Sequence, residues 1–174
     1  MELKLMNLKE QTEDFPQTFY AYIEISQGNN MKYEYKEELF GLVLDRILST
    51  SMIYPANYGF IPLTKGADGD PLDVLIISSL PIDHGIIVKC KPIGLAEMED
   101  EEGIDDKIIA VPIEKIDPIS KNIQNIDDIA EHTKESIRHF FEHYKELESG
   151  KFMKFKGFKE KKDAIKVIEK FSLL

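Results

Sequence analysis

Cysteine is nearly missing from this chain: Cys90 is the single one in 174 residues. That excludes an internal disulfide and any cysteine metal cluster, and it fits a reducing compartment. Long apolar runs are missing too, since nothing approaches the roughly 20 residues of a membrane-spanning helix. Met1 to Glu10 interleave charged with apolar residues, so no secretory leader and no membrane association are expected, and a cytoplasmic location is. Positive charge is scarce, with 22 Lys and Arg against 32 Asp and Glu and a net charge of −10. Affinity for a phosphate backbone rests on basic patches, so this balance argues against a nucleic-acid partner. A strongly anionic ligand would need metal ions or a local cluster of Lys and Arg. No glycine-rich phosphate loop is present: GxGxxG is absent, and Thr64-Lys65-Gly66 runs in the wrong order for a P-loop.

What the chain does have is Asp68-Gly69-Asp70-Pro71-Leu72-Asp73, three carboxylates within six residues, leading into the strand-like Val74-Leu75-Ile76-Ile77. Two carboxylates about 4 Å apart repel by roughly 1 kcal/mol in water and roughly 4 kcal/mol at a surface-like dielectric. Crowding three together makes most sense around a cation. Gly69 opens backbone angles closed to other residues and Pro71 fixes its own, so the chain can bend between Asp70 and Asp73. A solvated acidic turn is the bland alternative, because Asp, Gly and Pro are common turn formers. An EF-hand loop is not: counted from Asp68, its glycine and glutamate positions hold Asp73 and Ser79.

Along the chain, residues 18–25 (TFYAYIEI) read as a strand, with Glu24 facing away from Ile23 and Ile25. After the turn signal Gly28-Asn29-Asn30, residues 31–36 alternate strictly, placing Lys32 and Glu34 on one face. A hairpin carrying Glu24, Lys32 and Glu34 is expected, on either an ordinary solvent face or a site. Residues 40–48 read as another strand, in which Arg46 shares the parity of Leu42 and Leu44 and must reach solvent or meet an anion. Residues 52–60 form an irregular aromatic stretch whose Tyr54 and Tyr58 either pack or offer hydroxyls to a phosphate. Ile86 to Leu95 and Ile108 to Ile113 are further strands, separated by the acidic run Glu97 to Lys107, a solvated loop on its local merits.

Short strands with close-set turns suggest a small antiparallel barrel or sandwich. Helical spacing then takes over from near Asp127 to Leu147, with Gly150 as its expected cap. A short strand over 151–158 and a second helix over 160–171 complete what reads as one α+β domain, residues 1–174. His139-Phe140-Phe141-Glu142-His143 matches the HxxEH string of zinc peptidases. A third zinc ligand should follow far downstream, and only 31 residues remain, so a polar helix face or a subunit contact with His132 and Ser136 is the better account.

The candidates fall into two groups. Glu24, Glu34, Asp68, Asp70, Asp73, Asp100 and Asp105 offer oxygen ligands suited to Mg²⁺ or Mn²⁺. Lys32, Arg46, Lys107 and Lys145, with Tyr54, Tyr58 and Tyr144, suit phosphate oxygens. Acid for metal and base for phosphate is a phosphoryl-transfer constellation.

Along nearly its whole length the chain resembles the family I soluble inorganic pyrophosphatases, of the prokaryotic kind. Residues 68–73 satisfy that family's signature: two aspartates around one small or polar residue, then Pro or Glu, an apolar residue and a third aspartate. Further matches are Ile23-Glu24-Ile25, Lys32-Tyr33-Glu34, Asp45-Arg46, residues 54–59, residues 100–107 and residues 140–145. The resemblance implies a closed five-stranded OB-like barrel flanked by two main helices, with the site at the barrel mouth. It implies hydrolysis of pyrophosphate to two orthophosphates by in-line attack of a metal-bound hydroxide, with several Mg²⁺ per subunit and Mn²⁺ or Co²⁺ as possible substitutes. By that resemblance Asp68, Asp73 and Asp105 hold a first ion, and Asp73 bridges to a second. Asp100 and Asp105 hold a third, while Glu34, with Glu24 nearby, serves a fourth. Asp70 is the implied general base, Lys32, Arg46, Tyr58, Lys107, Tyr144 and Lys145 the implied substrate ligands, and Tyr54 and Glu101 supporting residues. A homohexamer is implied as well. The rival readings are a phosphohydrolase acting on nucleotides or phosphoesters, and a non-catalytic OB-like nucleic-acid module.

Overall fold

The computed structural model describes residues 10–174, so the leader reading of the N-terminus falls almost wholly outside the described residues. In chain order the elements are β1 (Phe19–Ile25), β2 (Met31–Lys36), β3 (Gly41–Ile47), β4 (Asn57–Ile61), β5 (Leu72–Ile76), β6 (Ile87–Asp100), β7 (Gly103–Ile104), β8 (Lys107–Pro112), α1 (Glu131–His143), β9 (Met153–Glu160) and α2 (Lys161–Phe171).

Five strands pair in the order β1-β4-β5-β8-β6, and a further pairing of β1 with β6 closes the ring. Only β5 and β8 run parallel within it. The expected closed five-stranded barrel with two helices is therefore present. The 14-residue β6 serves most of the molecule, pairing with β1, β8, β7 and β9 in turn. Alternation explains the core. Val74 and Ile76 of β5 and Ile108 and Ala110 of β8 join Phe19, Ala21, Ile23, Ile61, Val88 and Cys90 in a cluster drawn from every ring strand, sealed by Ala164 and Ile168 of α2. The intervening Leu75, Ile109 and Val111 face the other way and pack with Ile137, Phe140 and Phe141 of α1. Each fully buried aliphatic side chain contributes about 1.5–3 kcal/mol. Closure also needs Gly59, where a Cβ would stand 1.8 Å from the carbonyl oxygen of Tyr22 on the neighbouring strand.

β2 and β3 form a separate two-stranded ribbon with no ladder to the ring. The expected hairpin of β1 with β2 is thus corrected: β2 takes β3 as its partner and leaves β1 to β4 and β6. Extra residues also upset simple alternation, two of them beside the site. In β1 the register passes from Ile23 opposite Gly59 to Ile25 opposite Tyr58, so Glu24 is unopposed and Ile23 and Ile25 join different core clusters. In β3 it passes from Leu44 opposite Tyr33 to Arg46 opposite Lys32, so Asp45 is extra and Arg46 turns to the face of Lys32 and Glu34, away from Leu42 and Leu44. A bulge re-aims the side chains beyond it, and a period-two reading cannot see it.

Other boundaries shift. Tyr58-Gly59-Phe60 belongs to β4, and the acidic run is the end of β6 plus a tight turn into β7. Helix α1 starts at Glu131 and ends at His143, short of the expected span, and Leu147 is exposed, so Gly150 does not cap it. Beyond His143 the backbone tightens into three-residue turns, with the amides of Glu146 and Glu148 donating to the carbonyls of His143 and Lys145 at 3.1 and 3.0 Å. That change of pitch lets Lys145 turn inward, where it is 5% exposed.

Candidate active site

The loop joining β4 to β5 carries the acidic signature. Thr64 staples its base, its hydroxyl donating to the carbonyl of Ile61 at 2.6 Å while accepting from the amide of Leu72 at 2.9 Å. Gly69, at φ +93°, lets its amide turn back to the carbonyl of Gly66 at 3.0 Å, and the amide of Asp70 donates to the Asp68 carboxylate at 3.0 Å. Asp68 and Asp70 are thereby held at the loop's exposed lip, and Asp73 enters the strand.

Register does the next step. Val74 lies opposite Ile108 in the parallel pair, which brings their predecessors, Asp73 and Lys107, side by side. Lys107 Nζ donates to Asp73 Oδ2 at 2.5 Å and to Asp105 Oδ1 at 2.6 Å, and it stands 5.7 Å from the centre of the Tyr58 ring. Only 4% of Lys107 is exposed. Burial alone would lower its pKa, but the carboxylates of Asp73 and Asp105 outweigh that and hold it above the usual lysine range. Asp105 is fixed by its amide, which donates to the Met98 carbonyl at 2.9 Å.

The end of β6 supplies Asp100, and the turn after it Glu101. Lys145 Nζ lies 3.2 Å from Glu101 Oε2 and 3.7 Å from Asp100 Oδ2. Burial would raise the Glu101 carboxyl, but its own backbone, Lys145 and the Phe152 amide hold it at about 2. Tyr144, also buried, stacks on Phe140 with ring centroids 5.0 Å apart, and Tyr54 packs between Phe140 and Tyr58 at 4.7 and 5.6 Å. Burial pushes the Tyr144 hydroxyl up to about 12.

The ribbon contributes the remainder. Lys32 Nζ is 2.7 Å from Glu34 Oε1 and 3.6 Å from Asp45 Oδ2. Arg46 reaches Glu148 with Nη1 at 3.2 Å, while its Nε is buried without a hydrogen-bond partner. From β1, Glu24 Oε1 accepts the amide of Tyr35 at 2.8 Å. Burial raises the Glu24 carboxyl to about 7, aided by the charges of Asp73 and Glu34 against the Tyr35 bond. Burial also raises Asp70, and the neighbouring Asp68, Asp73 and Glu34 add to it. These mutual effects mark one acidic pocket to which the loop, ring and ribbon all contribute.

Among the described residues no three His, Cys, Asp or Glu side chains are gathered into a ready cation cage. The donor set nevertheless suits a hard divalent ion: the pocket's ligating groups are carboxylates, and Asp73 and Asp105 converge on one cationic nitrogen. The zinc string on α1 is set aside by geometry. His143 Nδ1 pairs with Glu146 Oε2 at 2.9 Å, and the rings of His139 and His143 lie 4.6 Å apart near the surface with no third ligand gathered to them among the described residues.

Sequence reasoning missed Glu148, the partner of Arg46, and Lys36, which shares Glu34 with Lys32 at 2.7 Å. Lys36 could have been found from its i+2 spacing on β2; Glu148 sits in a charged turn with no periodic signal.

A closed five-stranded barrel whose rim carboxylates face lysines, an arginine and tyrosines defines a protein of the phosphoryl-transfer class. The sequence model described as inorganic pyrophosphatase matches residues 21–173. The chain is 63% identical over 156 residues to the inorganic pyrophosphatase of Thermoplasma volcanium, covering 90% of this chain and 92% of that one. It is 51% identical to that of Aquifex pyrophilus over 89% and 88% of the two chains. The solved inorganic pyrophosphatase of Helicobacter pylori superposes with a TM-score of 0.90 at 47% identity, covering 94% of this chain and 95% of that one. The chain belongs to the inorganic pyrophosphatase family.

Proposed function

We propose that this chain hydrolyses inorganic pyrophosphate to two orthophosphates, in a reaction dependent on Mg²⁺. The observation that carries the reading is Lys107, a buried ammonium between Asp73 and Asp105, at the centre of a pocket otherwise dominated by carboxylates. Pyrophosphate bears three to four negative charges near neutral pH, and such a pocket admits it only once its own negative charge is offset.

Asp68, Asp73, Asp100, Asp105 and Glu34 are the proposed metal ligands. Glu24 is set apart from them, because its carboxylate accepts a backbone amide of the neighbouring ribbon, that of Tyr35. When bound, divalent ions there would offset the charge of both pocket and substrate and bring the pKa of a water from about 16 towards 7. Asp70 is the proposed general base. Its raised pKa favours accepting a proton from the attacking water, and its place on the loop lip leaves it open to solvent. Lys32, Arg46, Lys107 and Lys145 would hold phosphoryl oxygens, with the hydroxyls of Tyr58 and Tyr144, and would stabilise charge developing on the leaving phosphate. Arg46 Nε makes no hydrogen bond, its nearest charge being Asp45 Oδ2 at 4.0 Å, so it has a donor to offer such an oxygen. Tyr54 supports Tyr58 by packing, and Glu101 orients Lys145.

The rivals use the same carboxylates or none of this chemistry. A nucleotide or phosphoester hydrolase needs room for a base or sugar, and an oligonucleotide binder is disfavoured by a net charge of −10. We further propose a single domain over residues 1–174, a homohexamer with the exposed His132 and His139 face of α1 as a contact, and a cytoplasmic location; sedimentation tests the assembly. The deciding experiment is phosphate release from pyrophosphate with and without Mg²⁺, beside ATP and a simple phosphomonoester. Fast Mg²⁺-dependent release from pyrophosphate alone is expected. Preference for ATP or the monoester would overturn the substrate, and no release with any divalent metal would overturn catalysis.

A further inference from the structure

The ribbon of β2 and β3 holds Lys32 directly opposite Arg46 on one face, with Glu34 beside them, yet no ladder fastens it to the ring. Among the described residues, the hydrogen bond from the Tyr35 amide to Glu24 Oε1, at 2.8 Å, is the one that joins a ribbon strand to a ring strand. Its acceptor stands at the bulge of β1, where Glu24 has no opposite residue in β4 and its side chain is released from the alternation of the strand. Its donor is followed by aromatic packing: the Tyr35 ring meets Tyr22 of β1 edge-on at 5.3 Å and Phe60 of β4 at 6.2 Å. The carboxylate is partly buried by these contacts, and a buried amide left without its acceptor costs about 1–3 kcal/mol.

We propose that Glu24 is a positioning residue, whose carboxylate clamps the ribbon to the barrel through the Tyr35 amide and so sets Lys32 and Arg46 over the pocket, and that it is not a cation ligand. The role given to Lys32 and Arg46 rests on the proposed pyrophosphate reaction; the clamp itself does not. Reach and charge separate the two roles. Glu24→Gln keeps the reach and an acceptor oxygen but loses the charge a cation needs. Glu24→Asp keeps the charge but draws the oxygen back by one methylene from the Tyr35 amide.

The test measures three quantities on the wild type and both variants: hydrogen exchange of the Tyr35 amide, Mn²⁺ affinity by calorimetry without substrate, and kcat and KM for pyrophosphate with Mg²⁺. Exchange at Ile76 and Ile109, deep in the ring, gauges global stability in each sample. Glu24→Gln is expected to leave Tyr35 exchange and KM within about threefold of wild type. Glu24→Asp is expected to speed Tyr35 exchange about tenfold or more against an unchanged ring and to raise KM by a similar factor, in keeping with a lost, partly buried hydrogen bond. Mn²⁺ affinity is expected to hold in both. The reverse pattern, with Glu24→Gln losing about tenfold in Mn²⁺ affinity and Glu24→Asp keeping it, would make Glu24 a ligand and overturn the proposal. So would a Tyr35 amide in Glu24→Asp that exchanges as in wild type, or one that opens while KM stays put. A wild type that fails to hydrolyse pyrophosphate would sink the functional reading, while Tyr35 exchange in the two variants would still judge the clamp.

Discussion

The two halves of the pocket are built differently. In the ring half, Asp73 and Lys107 are neighbours because parallel strands fix their register, and the six residues of β8 are all buried. In the ribbon half, all six residues of β2 are only partly buried, and the attachment to the ring rests on the Glu24 bond, the contacts of Tyr35 with Tyr22 and Phe60, and the packing of Tyr33 on the core. Close packing leaves a core little freedom, whereas an element with few buried contacts opens at lower cost. The ring half is therefore the place for groups whose geometry decides the chemical step, and the ribbon half for groups that grip and release phosphate. Substitutions in the first should lower kcat, and substitutions in the second should raise KM.

The sharpest way to break that division is Asp70→Asn, which keeps the loop's size but removes the proposed base. We expect kcat to fall by about 10²–10⁴, with KM little changed and the fold intact. Steady-state kinetics with Mg²⁺ measures it, and near-normal turnover would remove Asp70 from the chemistry. Lys107→Met comes next. Removing one partner of a buried ion pair costs about 3–5 kcal/mol; because Asp73 and Asp105 keep some solvent, we expect roughly 2 kcal/mol, read as a lower urea midpoint in EDTA. The matched change in the ribbon, Lys32→Met, should cost no more than about 1 kcal/mol. Equal losses would mean that the two halves are equally rigid.

Arg46→Ala tests the ribbon half directly. A charge-assisted hydrogen bond contributes about 1.5–3 kcal/mol, so KM for pyrophosphate should rise about 10–100-fold. Metal affinity should not move, since Arg46 pairs with Glu148 and Asp45 and not with the ring carboxylates. Equal loss of both affinities would assign Arg46 a structural task.

The contrast also explains what could be read in advance. The barrel strands are legible because short apolar runs bounded by turn residues report burial directly, as with Val74, Leu75 and Ile76. The acidic loop was legible because its residues are adjacent in sequence. The bulges at Glu24 and Asp45 are not legible, because a bulge leaves no mark in a hydrophobic pattern, and it is the bulges that set the faces of Ile25 and Arg46. The end of α1 is not legible either: Tyr144 and Leu147 keep the helical spacing, while Lys145 finds its partner Glu101 more than 40 positions away. Long-range pairs such as Lys107 with Asp73, 34 residues apart, need the register of the sheet before they exist.

The smallest effect concerns acid. Burial would raise the Glu34 carboxyl, but the hydrogen bonds and charges of Lys32 and Lys36 hold it at about 2, below the usual glutamate value of about 4.3. A group whose folded pKa is depressed stabilises the fold above its unfolded pKa and loses that contribution as pH falls through the folded value. The stabilisation from Glu34 should therefore be whole above about pH 4.3 and vanish by about pH 2, while Glu34→Gln carries none of it at any pH. Since the pair is only partly buried, the gap between wild type and variant should be at most about 1 kcal/mol. Urea unfolding in EDTA at steps from pH 6 to pH 2.5 would trace it, and the two curves should draw together on the acid side. A gap that stays constant across that range would mean that the lysines do not hold the Glu34 carboxylate, and that the ribbon keeps its shape by packing alone.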